Sequence, residues 1–233
     1  MYLYETHLHS KEGSKCGHSS ARELVHAYHQ AGYSGFVLTN HFITGNTSVP
    51  RDLDWSSRMQ MYYDAYLEAK DEGDKLDFDV MFGIEHNYGN GKEVLIYGID
   101  LAFLTAHPEL DTNDIDIYAR LVHEAGGILV HAHPHRKRAY IPEGIAPRYD
   151  VCDGIEVYNA CDFPESNAMS LNDAIGLHKL MTSGGDIHVV GDERIGLAGM
   201  VFEKRIKTIE EFVAALRMKE GNVMIDGQVR NDI

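Results

Sequence analysis

Strand and helix signals alternate along the whole chain, and this alternation restricts the fold more than any other feature. Short apolar runs are separated by turn residues and by segments in which apolar residues recur with helical spacing. We expect strands near residues 2–6, 35–40, 79–84, 94–99, 128–132, 154–158, 186–190, 199–203 and 222–226. We expect helices after residue 20 and near residues 56–72, 113–125, 166–182 and 208–218. Such alternation is typical of parallel strand–helix units.

The length of 233 residues suits one α/β domain, 1–233, whose strands close into a barrel. An open doubly wound sheet is the alternative, although the chain contains neither a GxGxxG motif nor a P-loop. Every apolar run is far shorter than the roughly 20 residues of a membrane helix, so we expect no contact with a membrane. The N-terminus lacks the pattern of a secretory signal, and we expect the protein in the cytoplasm.

The charge balance argues against a long nucleic acid as partner. Asp and Glu number 36 against 21 Lys and Arg, a net charge of −15, whereas nucleic-acid binding requires clustered cations. The one compact basic run is Arg136-Lys137-Arg138. A small anionic substrate remains compatible with this charge if metal ions lie beside it. The three cysteines form no CxxC pair and are expected as free thiols. Nothing in the pattern indicates an oligomeric state.

Residues of the types that bind metals follow one apolar run after another. They are His7, His9, His41, Glu85, His131, His133, Asp186 and His188. In barrels the chemistry lies at the carboxyl ends of the strands, so we expect these side chains to converge on one rim. Histidine with a few carboxylates favours Zn, Mn or Fe over Ca or Mg. The number of candidates exceeds one tetrahedral site and indicates two or three divalent ions.

Each of these residues taken singly is weaker evidence for a metal site than the whole set. His7-Leu8-His9 places two imidazoles on one side of an extended segment, but such a pair also occurs for structural reasons. Glu85 ends a strand that should be buried, and a carboxylate there must be paired or bound to a cation. Arg136 offers the guanidinium fork that binds phosphate, although a solvated basic turn would explain it equally well.

Taken in order, the motifs resemble the PHP (polymerase and histidinol phosphatase) family over most of the chain. These motifs are His7-x-His9, a glycine-rich loop with His18, Thr39-Asn40-His41, Gly83-Ile84-Glu85, Ala132-His133-Pro134, Asp153-Gly154-Ile155-Glu156-Val157-Tyr158-Asn159 and Asp186-x-His188. The resemblance implies a distorted seven-stranded (β/α)7 TIM-like barrel, a trinuclear metal centre and hydrolysis of phosphoesters.

The resemblance also implies a set of ligands for each ion. The first ion would be held by His7, His9, Glu85 and Asp186. Glu85 would bridge to a second ion bound by His133, and His18, His41 and His188 would hold the third.

Two positions depart from the family pattern. Asn40 stands where an aspartate is usual and removes a carboxylate behind the ligands. Glu93 stands where a histidine often binds the second ion, and we include Glu93 as an oxygen ligand.

We therefore expect a phosphomonoesterase of the histidinol-phosphatase type, which hydrolyses a small phosphorylated metabolite with metal-activated water. Arg136 would neutralise the phosphoryl oxygens, and His135 would protonate the leaving oxygen. One alternative is a phosphodiesterase or exonuclease acting on nucleotides or oligonucleotides. An alternative of another class is a metal-binding module without catalytic activity.

Overall fold

The structure is a computed structural model that describes residues 1–231, and residues 232–233 of the expected domain lie outside this range. The strands within this range are β1 (Tyr2–Glu5), β2 (Gly35–Leu38), β3 (Asp79–Gly89), β4 (Lys92–Tyr97), β5 (Ile128–Ala132), β6 (Gly154–Asn159), β7 (Leu180–Gly184), β8 (Gly199–Phe202), β9 (Asn222–Ile225) and β10 (Gln228–Arg230). The α-helices are α1 (Ala21–Gln30), α2 (Trp55–Lys75), α3 (Leu101–Ala106), α4 (Ile115–Glu124), α5 (Pro164–Gly176) and α6 (Ile209–Arg217). A short 3-10 helix spans Pro108–Leu110.

One sheet contains all ten strands in the order β10-β9-β8-β1-β2-β3-β4-β5-β6-β7. Strands β1, β2 and β3 are parallel, as are β5, β6 and β7. Between these two sets β4 runs antiparallel to both neighbours. The predicted α/β class is confirmed, and the sheet is mixed.

The sheet curls into a half-barrel, which brings β7 towards β8 and β9. Ser183 on β7 donates a hydrogen bond to the Met224 carbonyl (2.5 Å) and accepts one from the Gly199 amide (3.2 Å). The apolar residues on both faces of the sheet are buried, in clusters against the helices and within the curl. No helix within residues 1–231 is long and apolar enough to cross a bilayer.

Local sequence signals account for most helix starts. Ser20 caps α1 in the predicted capping box with Glu23, whose side chain accepts from the Ser20 amide (2.7 Å). Asp54, Asp114 and Thr208 cap α2, α4 and α6 in the same way, with one side-chain oxygen on a free amide. These caps fix where each strand-to-helix loop ends.

One region of the predicted secondary structure is wrong. The helix predicted over 166–182 ends at Gly176, and the following strand is Leu180–Gly184 instead of 186–190. His178, at φ 54°, reverses the chain between the two elements. The apolar residues after Gly176 continue the helical spacing, which explains the error. Asp186 and His188 therefore come after the end of β7, as His7 and His9 come after β1 and His133 comes after β5.

Candidate metal centre

The ends of five strands deliver the predicted ligands to one rim of the sheet. Loops after β1, β2, β5 and β7 carry His7 with His9, His41, His133, and Asp186 with His188. Glu85 lies within β3, where its backbone bridges that of His41. Because β4 runs antiparallel, it begins at this rim. Its second residue, Glu93, is paired in strand register with Asn87 on β3 and Ala132 on β5.

Glu85 lies at the centre of this group and is almost fully buried, with 1% of its surface exposed. Its Oε2 is 2.7 Å from His41 Nδ1 and 3.5 Å from His9 Nε2. Its Oε1 is 3.0 Å from His133 Nε2 and 3.1 Å from His7 Nε2. One carboxylate is thus surrounded by four imidazoles.

Asp186 and Glu93 add two further carboxylates. Asp186 Oδ1 lies 3.2 Å from His9 Nε2 and 3.6 Å from His7 Nε2. Glu93 Oε2 lies 3.5 Å from His133 Nε2, and Glu93 Oε1 lies 3.7 Å from His41 Nδ1. The structure therefore brings Glu93 into the group, as the sequence analysis expects of a ligand.

The hydrogen bonding of this group is incomplete. His41 Nδ1 and Glu85 Oε2 are buried and close, yet neither has a hydrogen-bond partner within the described residues. The Nε2 atoms of His7 and His9 face each other at 3.1 Å. Buried polar atoms without partners are rare in native proteins, and a bound ion or water is a common partner for them. A cation between these atoms would satisfy them.

Donor atoms close enough to share an ion fall into four overlapping sets. The sets are His7, His9 and Glu85; His7, His133 and Asp186; His41, Glu85 and Glu93; and His9, His41 and His188, each within 4.8 Å. Imidazole nitrogens with carboxylate oxygens suit Zn, Mn and Fe. The residues present therefore fit divalent cations.

The ionisable groups are strongly coupled. Burial lowers the pKa of His7, but the charges of Glu156, Asp186 and Glu85 outweigh it and hold that pKa well above its usual value. His41 behaves in the same way, chiefly because of Glu85. Burial, with the nearby His41 and His188, holds the pKa of His9 well below its usual value. A bound metal would replace this mixture of protonated and neutral histidines with imidazoles that are all neutral.

Glu156 orients two of the candidate ligands and was not among the predicted site residues. Its Oε1 is 2.8 Å from His7 Nδ1, and its Oε2 accepts from the His133 amide (2.9 Å) and the Asn159 side chain (3.0 Å). Carboxylates that hold the second nitrogen of a ligating histidine are common around metal sites. The sequence could have indicated this role of Glu156, since a fully buried glutamate inside an apolar strand needs a partner.

Asn40 has a side-chain amide at the position where the family pattern has a carboxylate. Its Oδ1 accepts from the Ser10 amide (2.7 Å) and from Ser14 Oγ (3.0 Å), and its Nδ2 donates to Ser10 Oγ (3.1 Å). Ser14 in turn lies 3.2 Å from His9 Nδ1. The amide thus supports His9 through a hydroxyl.

The structure places three expected residues outside this group. His131 is buried on β5, and its Nε2 lies 2.7 Å from the Tyr88 hydroxyl. The His18 side chain is exposed, and the residue contributes a backbone hydrogen bond to the His188 carbonyl (2.7 Å). His135 Nε2 lies 2.6 Å from Asp173 Oδ2 on α5. The position of His135 follows from the backbone at His133, where φ is 29° and the alternation of the strand ends.

Arg136 lies at the site but is not a free fork. Its Nε donates to Asp162 (2.8 Å), and its Nη2 donates to Asp186 Oδ2 (2.6 Å) and Asn159 Oδ1 (3.1 Å). With two carboxylates on one guanidinium, its charge is balanced by the protein. Arg136 therefore fixes the position of Asp186, and its expected contact with the phosphoryl oxygens stays a prediction.

The Cys16 thiol, two residues before His18 in the chain, interacts with the side chains of His41 and His188. Burial raises the pKa of the Cys16 thiol, but interactions with His188 and His41 outweigh this and lower it to about 6. Only the sequence position of Cys16, in a loop between candidate ligands, hinted at this arrangement.

A cavity of about 700 Å³ opens above the group. It is lined by His41, Glu93, Asp186 and His188 from the group itself and by Cys16, Thr44, Gly45, Asn46, Asn87, Arg136, Arg138, Tyr140, Cys161 and Arg194. This volume is within the usual range for small-molecule sites. His135 and His18 do not line it.

No protein-family model matches the chain, and no curated protein is significantly similar to it. Solved structures do match. A two-domain protein of Bacteroides vulgatus, containing a predicted PHP-like metal-dependent phosphoesterase, matches 98% of this chain and 66% of its own at 14% identity (TM-score 0.70). A Bifidobacterium adolescentis protein assigned as a metal-dependent phosphoesterase matches 92% and 95% at 13% identity (TM-score 0.60).

A lesion-specific endonuclease of Pyrococcus furiosus also matches, over 93% of this chain and 56% of its own, at 12% identity (TM-score 0.63). At these identities the likeness concerns the fold. The chain has the fold of PHP-like metal-dependent phosphoesterases, in agreement with the resemblance of its motifs. It spans about two thirds of the Bacteroides protein and a little over half of the endonuclease.

Proposed function

We propose that the protein is a metal-dependent phosphoesterase, a distorted (β/α)7 barrel of the PHP type, that hydrolyses a small phosphorylated metabolite. The observation that carries the proposal is the buried Glu85 carboxylate among four imidazoles, beside a cavity with three arginines in its walls. Protein interiors exclude such a concentration of partly unpaired ionisable groups unless a cation joins them.

Two or three divalent ions of the Zn, Mn or Fe type would bind at this rim. His7, His9, Glu85 and Asp186 would hold one, and Glu85, Glu93 and His133 another, with His41 and His188 available for a third. Bound ions of this kind lower the pKa of water to near neutrality and neutralise the oxygens of a phosphoryl group. With water activated in this way, hydrolysis needs no nucleophile from the protein.

The surrounding residues hold the ligands in position. Glu156 fixes the ring of His7 and the backbone of His133, and Arg136 fixes Asp186. Removal of such supports commonly lowers metal affinity or activity by about 10- to 100-fold.

Arg138 is the arginine best suited to bind the phosphoryl group. Arg136 is balanced by two carboxylates, and Arg194 by Asp192 at 2.5 Å. Arg138 donates to the carbonyls of Lys137 and Cys161, and Asp162, at 3.5 Å, is already bonded to Arg136. Its positive charge is therefore the least compensated of the three, which favours an incoming anion.

A second candidate function is a phosphodiesterase acting on nucleotides or DNA. A neighbouring cavity of about 1030 Å³ shares Arg136 and Arg138 with the first and is also lined by Lys92 and Lys137. A longer anionic substrate would find cations along both cavities. The structural likeness to an endonuclease points the same way, while the net charge of −15 favours the smaller substrate.

The test is a panel of phosphomonoesters, bis-esters and dinucleotides with protein loaded with Zn or Mn. We expect turnover of monoesters and little turnover of the other two classes. Arg138→Gln should raise KM about tenfold or more, the effect of losing a charge-assisted contact, and leave kcat nearly unchanged. Arg205→Gln, on a remote ion pair with Asp79, is the control. Absence of turnover on every ester, despite stoichiometric metal, would contradict the proposal and favour a binding module.

A further inference from the structure

Three imidazoles form a separate side of the metal centre. The ring centroids of His9 and His41 are 4.4 Å apart, those of His9 and His188 are 4.5 Å apart, and those of His41 and His188 are 6.3 Å apart. Their donor atoms are close enough to share one ion. No carboxylate belongs to this set, unlike the other three.

The Cys16 thiol interacts with the side chains of both His41 and His188 and lines the same cavity. Cys16 therefore lies among the imidazoles of this set. A second feature points to a cation at His41 itself. Within residues 1–231, His41 Nδ1 and the Glu85 Oε2 that it faces at 2.7 Å have no hydrogen-bond partner.

The loop that carries Cys16 is fixed by its own backbone. The Gly17 amide donates to the Ser14 carbonyl, and the Lys15 amide donates to the Asn46 carbonyl, both at 2.9 Å. A Cβ on Gly17 would lie 2.5 Å from the Ser10 backbone, so this close approach requires glycine. In this conformation the Cys16 side chain faces the cavity while the His18 side chain is exposed.

We propose that Cys16 is a ligand of the third ion, in the place expected for His18, together with His41 and His188. On binding, the thiol releases its proton to solvent and the sulfur forms the bond to the metal, without any redox change. The inference rests on the proposed metal centre and specifies it further. Because thiolate with imidazole is a soft donor set, this subsite would take Zn, Co or Fe(II) in preference to Mn or Mg.

Cobalt(II) reports this bond directly, since a thiolate ligand adds a sulfur-to-cobalt charge-transfer absorption in the near ultraviolet. The experiment compares cobalt-loaded wild type with Cys16→Ser, Cys161→Ser and Cys152→Ser. Cys161 is the demanding control because it lines the same cavity, whereas Cys152 is buried elsewhere. We expect the absorption in wild type and both controls, and its loss in Cys16→Ser together with one cobalt ion per chain.

Alkylation of wild-type protein gives a second measurement that needs no variant. Zinc should protect Cys16 from iodoacetamide, as followed by peptide mass spectrometry, and magnesium should not. Equal labelling of Cys16 with and without zinc would overturn the inference, as would an unchanged absorption in Cys16→Ser.

The two proposals fail in different ways. If wild type binds cobalt and hydrolyses a phosphoester without the charge-transfer absorption, the Cys16 inference is wrong and the proposed function stands. If the absorption is present and no phosphoester is hydrolysed, the proposed function fails and the ligation stands. If wild type binds no cobalt, both are wrong.

Discussion

Strand β3 carries a half-buried carboxylate at its start, Asp79, and a buried one past its middle, Glu85, and the two have different partners. At the start of the strand, Asp79 accepts from Arg205 on both oxygens (2.7 and 3.0 Å) and from the Tyr4 hydroxyl (3.2 Å). Towards the other end, Glu85 is surrounded by imidazoles, and its Oε2 has no hydrogen-bond partner within residues 1–231.

The difference separates a carboxylate that stabilises the fold from one that awaits a ligand. Arg205 is a permanent cation that belongs to the chain, so the Asp79 end is electrostatically complete without any other species. Imidazoles are cations only when protonated, and four of them cannot all be protonated around one carboxylate in a buried site. We therefore expect cations from solution to complete the Glu85 end.

The most direct way to break this comparison is to neutralise each carboxylate in turn. We expect Glu85→Gln to lower phosphoester turnover by at least about 100-fold, more than loss of a supporting residue would. Asp79→Asn should retain near-normal turnover and lose about 1–3 kcal/mol of unfolding free energy, the worth of hydrogen bonds to a charged group. Turnover and urea unfolding measured on both variants decide the matter.

Opposite behaviour would end the interpretation. If Glu85→Gln turned over substrate normally, the carboxylate would have only a structural role. If Asp79→Asn lost activity without losing stability, the two ends of β3 would not be independent.

The second prediction concerns pH, because only the Glu85 end contains protons that a metal must displace. In the metal-free fold the raised pKa values of His7 and His41 stabilise the protein below the unfolded histidine pKa of about 6.5, and this stabilisation is lost as pH rises through the folded values. A metal expels the same protons, so its affinity increases over that range.

Thermal unfolding with and without zinc tests this. We expect stabilisation of about 3 kcal/mol where zinc is ~100-fold above Kd. At one fixed zinc concentration, we expect a larger stabilisation at about pH 8 than at about pH 6.5, because Kd is lower at the higher pH. A shift that was independent of pH, or that decreased as pH rose, would show that protonated imidazoles do not compete with the metal.

The smallest effect is expected at His18. Its side chain is exposed and its backbone amide makes the bond to His188, so His18→Ala should keep metal content and turnover within about twofold, as is usual for surface substitutions. His188→Ala, as the matched variant, should lose one metal ion, which elemental analysis would detect. Equal loss from both variants would restore His18 to the site.

Much of this site could be predicted from the sequence because strand ends obey simple rules. His7 and His9 follow β1 with a spacing of two, and Glu85 lies within an apolar run that must be buried. Parallel strands gather such residues at one edge. Asp186 and His188 were identified although their strand was misplaced. They still follow an apolar run and a turn, and this pattern does not depend on the exact bounds of the strand.

The loops were less predictable, because backbone hydrogen bonds determine the direction of each side chain there. His135 was expected beside His133, but the positive φ of His133 turns the chain towards α5. His18 and Cys16 lie two residues apart, and contacts with Asn46 and Ser14 determine which one faces the cavity.

The sequence by itself determined the class of the fold, the rim on which the chemistry lies and the types of donor gathered there, because these follow from periodicity and from the cost of burying charge. The tertiary structure alone decided that β4 runs antiparallel, that Glu156 stands behind His7, and that Arg136 pairs with Asp186. Such choices depend on contacts between residues far apart in the chain, and no local pattern encodes them.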